Sequence, residues 1–164
     1  MNVLVAGLGN VFRTDDAFGV EVVREVARWP LPFGVRTLDF GLRGVHLAFE
    51  LLHPPELLIV ADAVCRGVEP GTLAILEPAE WATAIARGDT RDAHVLDLQS
   101  ILSLLLELGG IAPPMRVVAC EPASLDDGVG LSTCVQAAVE PAAATISRLI
   151  AQQRHPRREV ALVC

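Results

Sequence analysis

Two aspartates and a histidine stand where this chain could handle a metal ion or a proton. Asp16 lies in a polar loop after the first apolar run, Val3 to Ala6. Asp62 ends the uninterrupted apolar run from Leu57 to Ala61, and His94 closes the polar stretch GDTRDAH at 88–94. Two carboxylates and one imidazole make an O,O,N donor set, which suits a borderline divalent metal and leaves positions open for water or a foreign ligand. The same groups could serve as general acid and base. Each also has a plainer use: Asp16 as the cap of the following helix, Asp62 as a turn former, His94 as an idle surface residue. The chemistry therefore depends on whether the fold gathers all three.

A second candidate rim is Asp39-Phe40-Gly41 with Gly44, where glycine permits positive φ and close backbone approach, so that an extended peptide could be received. A plain strand-to-helix turn accounts for it equally well. Glu121 could point into the same crevice, although a solvated loop acid is the simpler reading. Cys134, with no histidine tied to it by sequence, reads as a buried core thiol rather than a nucleophile. There is no GxSxG elbow and no HExxH pair, so neither a seryl hydrolase of that type nor a self-contained zinc protease is indicated.

The elements that must position these residues alternate between strand and helix. After the first strand and its Gly7-Leu8-Gly9-Asn10 turn, Val22, Val23, Val26 and Ala27 recur at helical spacing, and Pro30 stops that helix near Trp29. A short strand at Val35 to Asp39 leads through Gly41-Leu42-Arg43-Gly44 to a helix with the stripe Val45, Ala48, Phe49 and Leu52. Leu57 to Ala61 reads as a strand covered on both faces. Residues 63–71 are too few for a helical crossover, so Thr72 to Leu76 is expected as an antiparallel edge strand.

A short helix is expected at Trp81 to Ala86, and then a longer one carrying Leu98, Ile101, Leu102, Leu105 and Leu108 and ending at Gly109-Gly110. Arg116 to Cys120 is the last strand. The final helix carries Val135, Val139, Ala142, Ile146, Leu149 and Ile150, with Pro141 expected to kink or split it. The pattern is that of an α/β three-layer αβα sandwich with a mostly parallel sheet. It comprises one catalytic-size domain, 1–152, and a basic tail, 153–164, with no evident packing face.

Composition narrows the function classes. Thirteen basic against twenty acidic residues give a net charge of −7, which repels a phosphate backbone and argues against nucleic acid. A protein or small-molecule partner is expected instead. The four cysteines show no CxxC spacing, which fits a reducing cytosolic setting. Neither a signal peptide nor the run of ~18 apolar residues needed to span a membrane is visible, so a soluble cytoplasmic protein is expected.

GLGN after a first strand invites three comparisons. The dinucleotide fingerprint GxGxxG fails at Phe12, which holds the third glycine position and would obstruct close helix–strand approach; Asp39 is the one feature that still points that way. Peptidyl-tRNA hydrolases also begin with a strand and GLGN, but their basic, histidine-bearing segment is here Arg13-Thr14-Asp15-Asp16. The third comparison runs nearly the whole length. The sequence resembles the hydrogenase maturation endopeptidases, the nickel-iron hydrogenase-processing proteases. The likeness lies in GLGNVFRTDDAFGV (7–20), DFGLRG (39–44), LLIVADAV (57–64), the histidine before the third long helix, and EPASLDDGVGLS (121–132) with Val-Glu-Pro at 139–141.

That resemblance implies a phosphorylase/hydrolase-like fold with a mixed five-stranded sheet of order 2-1-3-5-4 and strand 4 antiparallel. It implies an endopeptidase that removes a short C-terminal extension from the hydrogenase large-subunit precursor once nickel is in place. The metal-contacting and catalytic positions fall on Asp16, Asp62 and His94, and the substrate-binding turn on Asp39, Gly41 and Gly44. The nickel would be carried by the substrate, with no organic cofactor. Some members have glutamate at the place of Asp16, a longer arm. The alternatives are a metal-binding chaperone of hydrogenase assembly that cuts nothing, and a dinucleotide-binding module.

Overall fold

At the centre of the sheet lies the most apolar run of the chain, because a strand covered by helices on both faces needs hydrophobic side chains on both. The structure is a computed structural model describing residues 1–80 and 98–154. Its elements are β1 (Val3–Leu8), a 3-10 turn (Thr14–Ala17), α1 (Phe18–Val26), β2 (Val35–Gly41), α2 (Gly44–Glu50), β3 (Leu57–Ala63), β4 (Leu73–Leu76), α3 (Leu98–Glu107), β5 (Met115–Cys120) and α4 (Thr133–Arg154). In β3, Leu58 to Ala61 are fully buried. The sheet order is β2-β1-β3-β5-β4, and only β4, at one edge, runs antiparallel to its neighbour.

Alternation along the strands sorts the core into two layers. Val3, Val5, Ile59, Ala61 and Val118 pack under α1 and α4, against Phe18, Val22, Val139 and Ile146. Leu4, Ala6, Leu58, Val60 and Val117 pack under α2 and α3, against Leu47, Leu51, Leu98 and Ile101. This is the expected three-layer αβα sandwich. Among the described residues, no helix is long and apolar enough to cross a membrane.

The first helix is seated on the sheet by the absence of side chains. A Cβ on Gly19 would run into the carbonyl oxygens of Ala61 and Leu8, and one on Gly7 would meet the carbonyl of Gly19. The close helix–strand approach that a dinucleotide-type loop assigns to its third glycine is thus made by Gly19. Phe12 lies out in solvent and obstructs nothing.

Several local expectations change. The buried face of α2 is Leu47, Ala48 and Leu51, whereas Val45, Phe49 and Leu52 are exposed. The helix has apolar residues on two sides, with His46 and Glu50 between them, so periodicity alone offered two stripes and the sheet covered one. Leu108 lies beyond α3 and is exposed, and Ala27 lies beyond α1 and is likewise exposed. Pro141 does not split the last helix, which runs unbroken to Arg154, so residues 153 and 154 belong to it rather than to a tail. Ala137, four residues earlier, faces solvent, where the carbonyl that lost its donor can turn to water. The helix expected at Trp81 to Ala86, the loop at 88–94 and the tail from 155 lie outside the described residues.

Gly→Ala inside a helix ordinarily stabilises by up to about 1 kcal/mol. Gly19→Ala is expected to do the opposite, lowering unfolding free energy by about 1–3 kcal/mol because backbone must move to admit the methyl. Urea denaturation of the two proteins measures it, and an unchanged or higher midpoint would refute the close packing of α1 on β1 and β3.

Candidate functional site

Asp39, Gly7, Ala61 and Val118 face one another across the sheet, and Asp62 is aligned with Ala119. The four parallel strands therefore end on one edge, and the loops after β1, β2, β3 and β5 open there together, the usual place for a ligand crevice in such sheets. Asp16, Asp39 and Asp62 are all carried to that edge by topology.

The β1 loop is folded around two neighbouring acids with opposite fates. Asp15 is fully buried. Its carboxylate accepts the backbone N–H groups of Ala123 (2.8 Å), Ser124 (3.0 Å) and Ser132 (2.6 Å) and the Ser132 hydroxyl (2.9 Å). Burial opposes the charge, but the hydrogen bonds from Ser132, Ser124 and Ala123 outweigh it and hold the carboxyl below its ordinary range. The backbone adds to the clamp: Thr14 N–H donates to the Gly128 carbonyl (3.1 Å), Asp15 N–H to that of Ser124 (3.3 Å) and Gly128 N–H to that of Phe12 (2.9 Å). Thr14 sits at φ 37°, left-handed for a branched residue, and its hydroxyl donates to the Ser124 carbonyl at 2.8 Å.

Asp16 is half-buried and turned back into its own loop, where Oδ2 accepts the Asn10 N–H at 2.8 Å. It caps no helix, since α1 begins after Ala17 without any side-chain cap. Gly9, at φ 124°, lies against the Asp16 backbone so closely that a Cβ would strike the Asp16 carbonyl. The loop thus brings Asp16 back over the end of β1.

Asp62 is the penultimate residue of β3 and is half-buried. Leu58 and Val60 pack on the α2/α3 side, so alternation turns Asp62 to that side at the strand end. Three residues on lies Cys65, an exposed residue whose sulfur is partly covered. Burial of the sulfur raises its pKa, and the negative charges of Glu121, Asp16 and Asp62 push the same way. Asp16 and Asp62 thus share one electrostatic neighbourhood. Glu121 is not the solvated loop acid expected of it. It is buried, and its carboxylate accepts the Arg66 N–H (2.7 Å) and the Gly67 N–H (3.1 Å), tying the β5 loop to the β3 loop.

At the end of β2, the Asp39 carboxylate pairs with Arg24 of α1 at 3.3 Å. Arg43 wraps the turn, its guanidinium donating to the Asp39 carbonyl at 2.7 Å and its own N–H to the Phe40 carbonyl at 2.7 Å. Gly41 has φ 49°, the left-handed conformation that the sequence allowed for at this turn, and a Cβ there would meet the Gly9 carbonyl only at ordinary contact distance. Gly44 differs, being the buried first residue of α2 with no left-handed φ.

The structure thus brings Asp16, Asp62, Asp39 and Gly41 to one edge, while His94 lies outside the described residues. Among the described residues, no group of three His, Cys, Asp or Glu side chains is placed to hold a metal. Cys134 is exposed, 3.4 Å from the Ser132 hydroxyl, and the buried thiol is Cys120, pushed up to about 12 chiefly by burial. Of the two acids that the sequence offers in the β1 loop as candidates for chemistry, Asp15 is structural, a role that depends on donors more than a hundred positions away. Adjacent acids in one short loop were the available signal.

Among known proteins, the family profile of hydrogenase maturation proteases matches residues 20–149. The chain is 34% identical over 143 residues to the hydrogenase 2 maturation protease of Escherichia coli K12, covering 87% of this chain and 86% of that protein. It is 32% identical over 154 residues to the hydrogenase expression/formation protein HupM of Azotobacter chroococcum, covering 93% and 73%. The solved structure of the hydrogenase maturating endopeptidase HybD from E. coli superposes with a TM-score of 0.80 at 32% identity, over 93% of this chain and 94% of that one.

The clamp on Asp15 carries a pH signature. Its folded carboxyl ionises more readily than the unfolded one, so its stabilisation is complete above roughly pH 4 and is lost as pH falls through the lower folded value. Asp15→Asn should cost about 2 kcal/mol or more at pH 7, because an amide cannot accept all four hydrogen bonds. The gap from the parent should narrow in acid. Urea unfolding at pH 7 and in the acid range measures both, and a gap independent of pH would exclude the charge as the source.

Proposed function

The chain belongs to the hydrogenase maturation protease family, and from that premise we propose that it removes a short C-terminal segment from the precursor of a nickel-iron hydrogenase large subunit. The nickel is part of the substrate in this reading. Asp16 and Asp62, with His94 as the third donor, complete the coordination of the precursor's ion, and that contact sets the scissile bond in the rim between Asp39 and Gly44. The ion or a site carboxylate then activates water for attack on the peptide carbonyl. The reaction is placed in the cytoplasm.

The observation that carries this reading is that two acids from separate strand ends, Asp16 and Asp62, lie at the same edge of the sheet, after the paired strands β1 and β3. Carboxylates are hard oxygen donors that leave room in a metal's coordination shell for ligands from another protein. Asp16 is held for that task by the Asn10 N–H, and its loop is fixed by Asp15. A hydrogen-bonded carboxylate loses less freedom when it takes up an ion.

Incubation of the purified protein with nickel-loaded and nickel-free precursor, followed by mass spectrometry of the C-terminal fragment, tests recognition. Cleavage is expected only with nickel, and equal cleavage of both would discard metal-gated recognition. Asp62→Ala and His94→Ala should each slow processing at least about a hundredfold without lowering the melting temperature by more than a few degrees. Full activity in both would remove the site assignment. Binding of the precursor with no fragment released would favour the chaperone reading.

A further inference from the structure

Helix α2 presents a second apolar face that stands exposed among the described residues. Leu47, Ala48 and Leu51 are fully buried against the sheet and α3, while Leu42, Val45, Phe49 and Leu52 are 50%, 38%, 51% and 37% exposed. Those four positions are spaced three, four and three apart, which lines them along one side of a helix and of the turn that enters it. Single exposed apolar residues are ordinary on protein surfaces. A contiguous stripe on a helix that is apolar on both sides is a mark of an interaction site.

We propose that this outer face of α2 is the docking surface for the folded body of the precursor whose C-terminal segment enters the crevice, an inference that rests on the function proposed above. Its continuity with the site is the first argument. Leu42 belongs to the turn from Asp39 to Gly44 that receives the peptide, so a protein whose chain lies in that turn has its body over the adjoining helix. The second is rigidity. Arg43 clamps the turn through the Asp39 and Phe40 carbonyls, Leu51 N–H closes on the Leu47 carbonyl, and the flanking Glu50 is already paired with Arg36 at 2.6 Å. Docking on this face therefore orders little chain and strips no lone carboxylate of water.

Size decides between occupants. The helix has seven residues, so its stripe, roughly 10 Å long and one helix diameter wide, covers on the order of 100 Å², well short of the ~800 Å² per partner that a stable dimer of identical chains needs. It suffices as an auxiliary contact beside a peptide and an ion already bound. The partner face it fits is an apolar recess, with Phe49 as the aromatic anchor.

The test uses the full chain with Val45→Thr and Phe49→Ser combined; both side chains are exposed, and an unchanged melting temperature confirms the fold. Processing of nickel-loaded precursor should need about tenfold more substrate for half-saturation, with turnover at saturation within about twofold of the parent. Direct binding of purified precursor to immobilised protein should weaken by the same factor. Unchanged half-saturation and unchanged binding would overturn the proposal. So would a parent protein that sediments as a dimer and becomes monomeric in the variant, since the face would then belong to a second copy. If the parent binds the precursor but cuts nothing, the processing function falls while the binding comparison still decides the docking surface.

Discussion

The fully buried carboxylate of Asp15 accepts three backbone N–H groups and one hydroxyl from the 121–132 loop, and the geometry of the crevice depends on that contact. Leaving such donors unpaired in the interior costs about 1–3 kcal/mol each, so the two loops have one strongly preferred way to meet. Once they do, Thr14 is held in a left-handed conformation and Asp16 is directed back over the end of β1.

Adjacent acids thus divide the work. Asp15 gives up water and is compensated by protein donors, which makes it structural. Asp16 stays half-exposed, its carboxylate accepting the Asn10 N–H. Glu121 repeats the structural role on the other side of the edge, where its buried carboxylate ties the β5 loop to Arg66 and Gly67. The crevice is therefore framed by two buried, hydrogen-bonded carboxylates, while Asp16 and Asp62 remain half-exposed at its rim.

The frame also explains how a peptidase can lack both a nucleophile elbow and a metal-binding helix motif. Asp16 and Asp62, the acids proposed to act, come from different strand ends and share one edge because β1 and β3 are neighbours in register. Gly7 and Gly19 let α1 lie directly on those strands, which sets where the β1 loop must turn. Small residues under the helix and buried acids in the loops are two parts of one positioning device.

Much of the architecture was legible in the chain. The apolar run at Leu57, the short spacing before Thr72 and the alternation of strand and helix patterns led to a mostly parallel sheet with an antiparallel edge strand, because covered strands and crossover lengths are local properties of sequence, while the full strand order came from the family resemblance. The motifs from Gly7 to Val20, Asp39 to Gly44 and Glu121 to Ser132 led to the family. Three things were decided only by tertiary structure. The face α2 buries was ambiguous because both of its sides are apolar, and the sheet's position selected one. Pro141 stays inside a continuous helix, at a place where Ala137, four residues earlier, is exposed. Asp15 became the buried partner, and Asp16 the open one, because the donors that distinguish them arrive from residues 123–132. A carboxylate's role is set by what surrounds it in space, and that the local sequence does not contain.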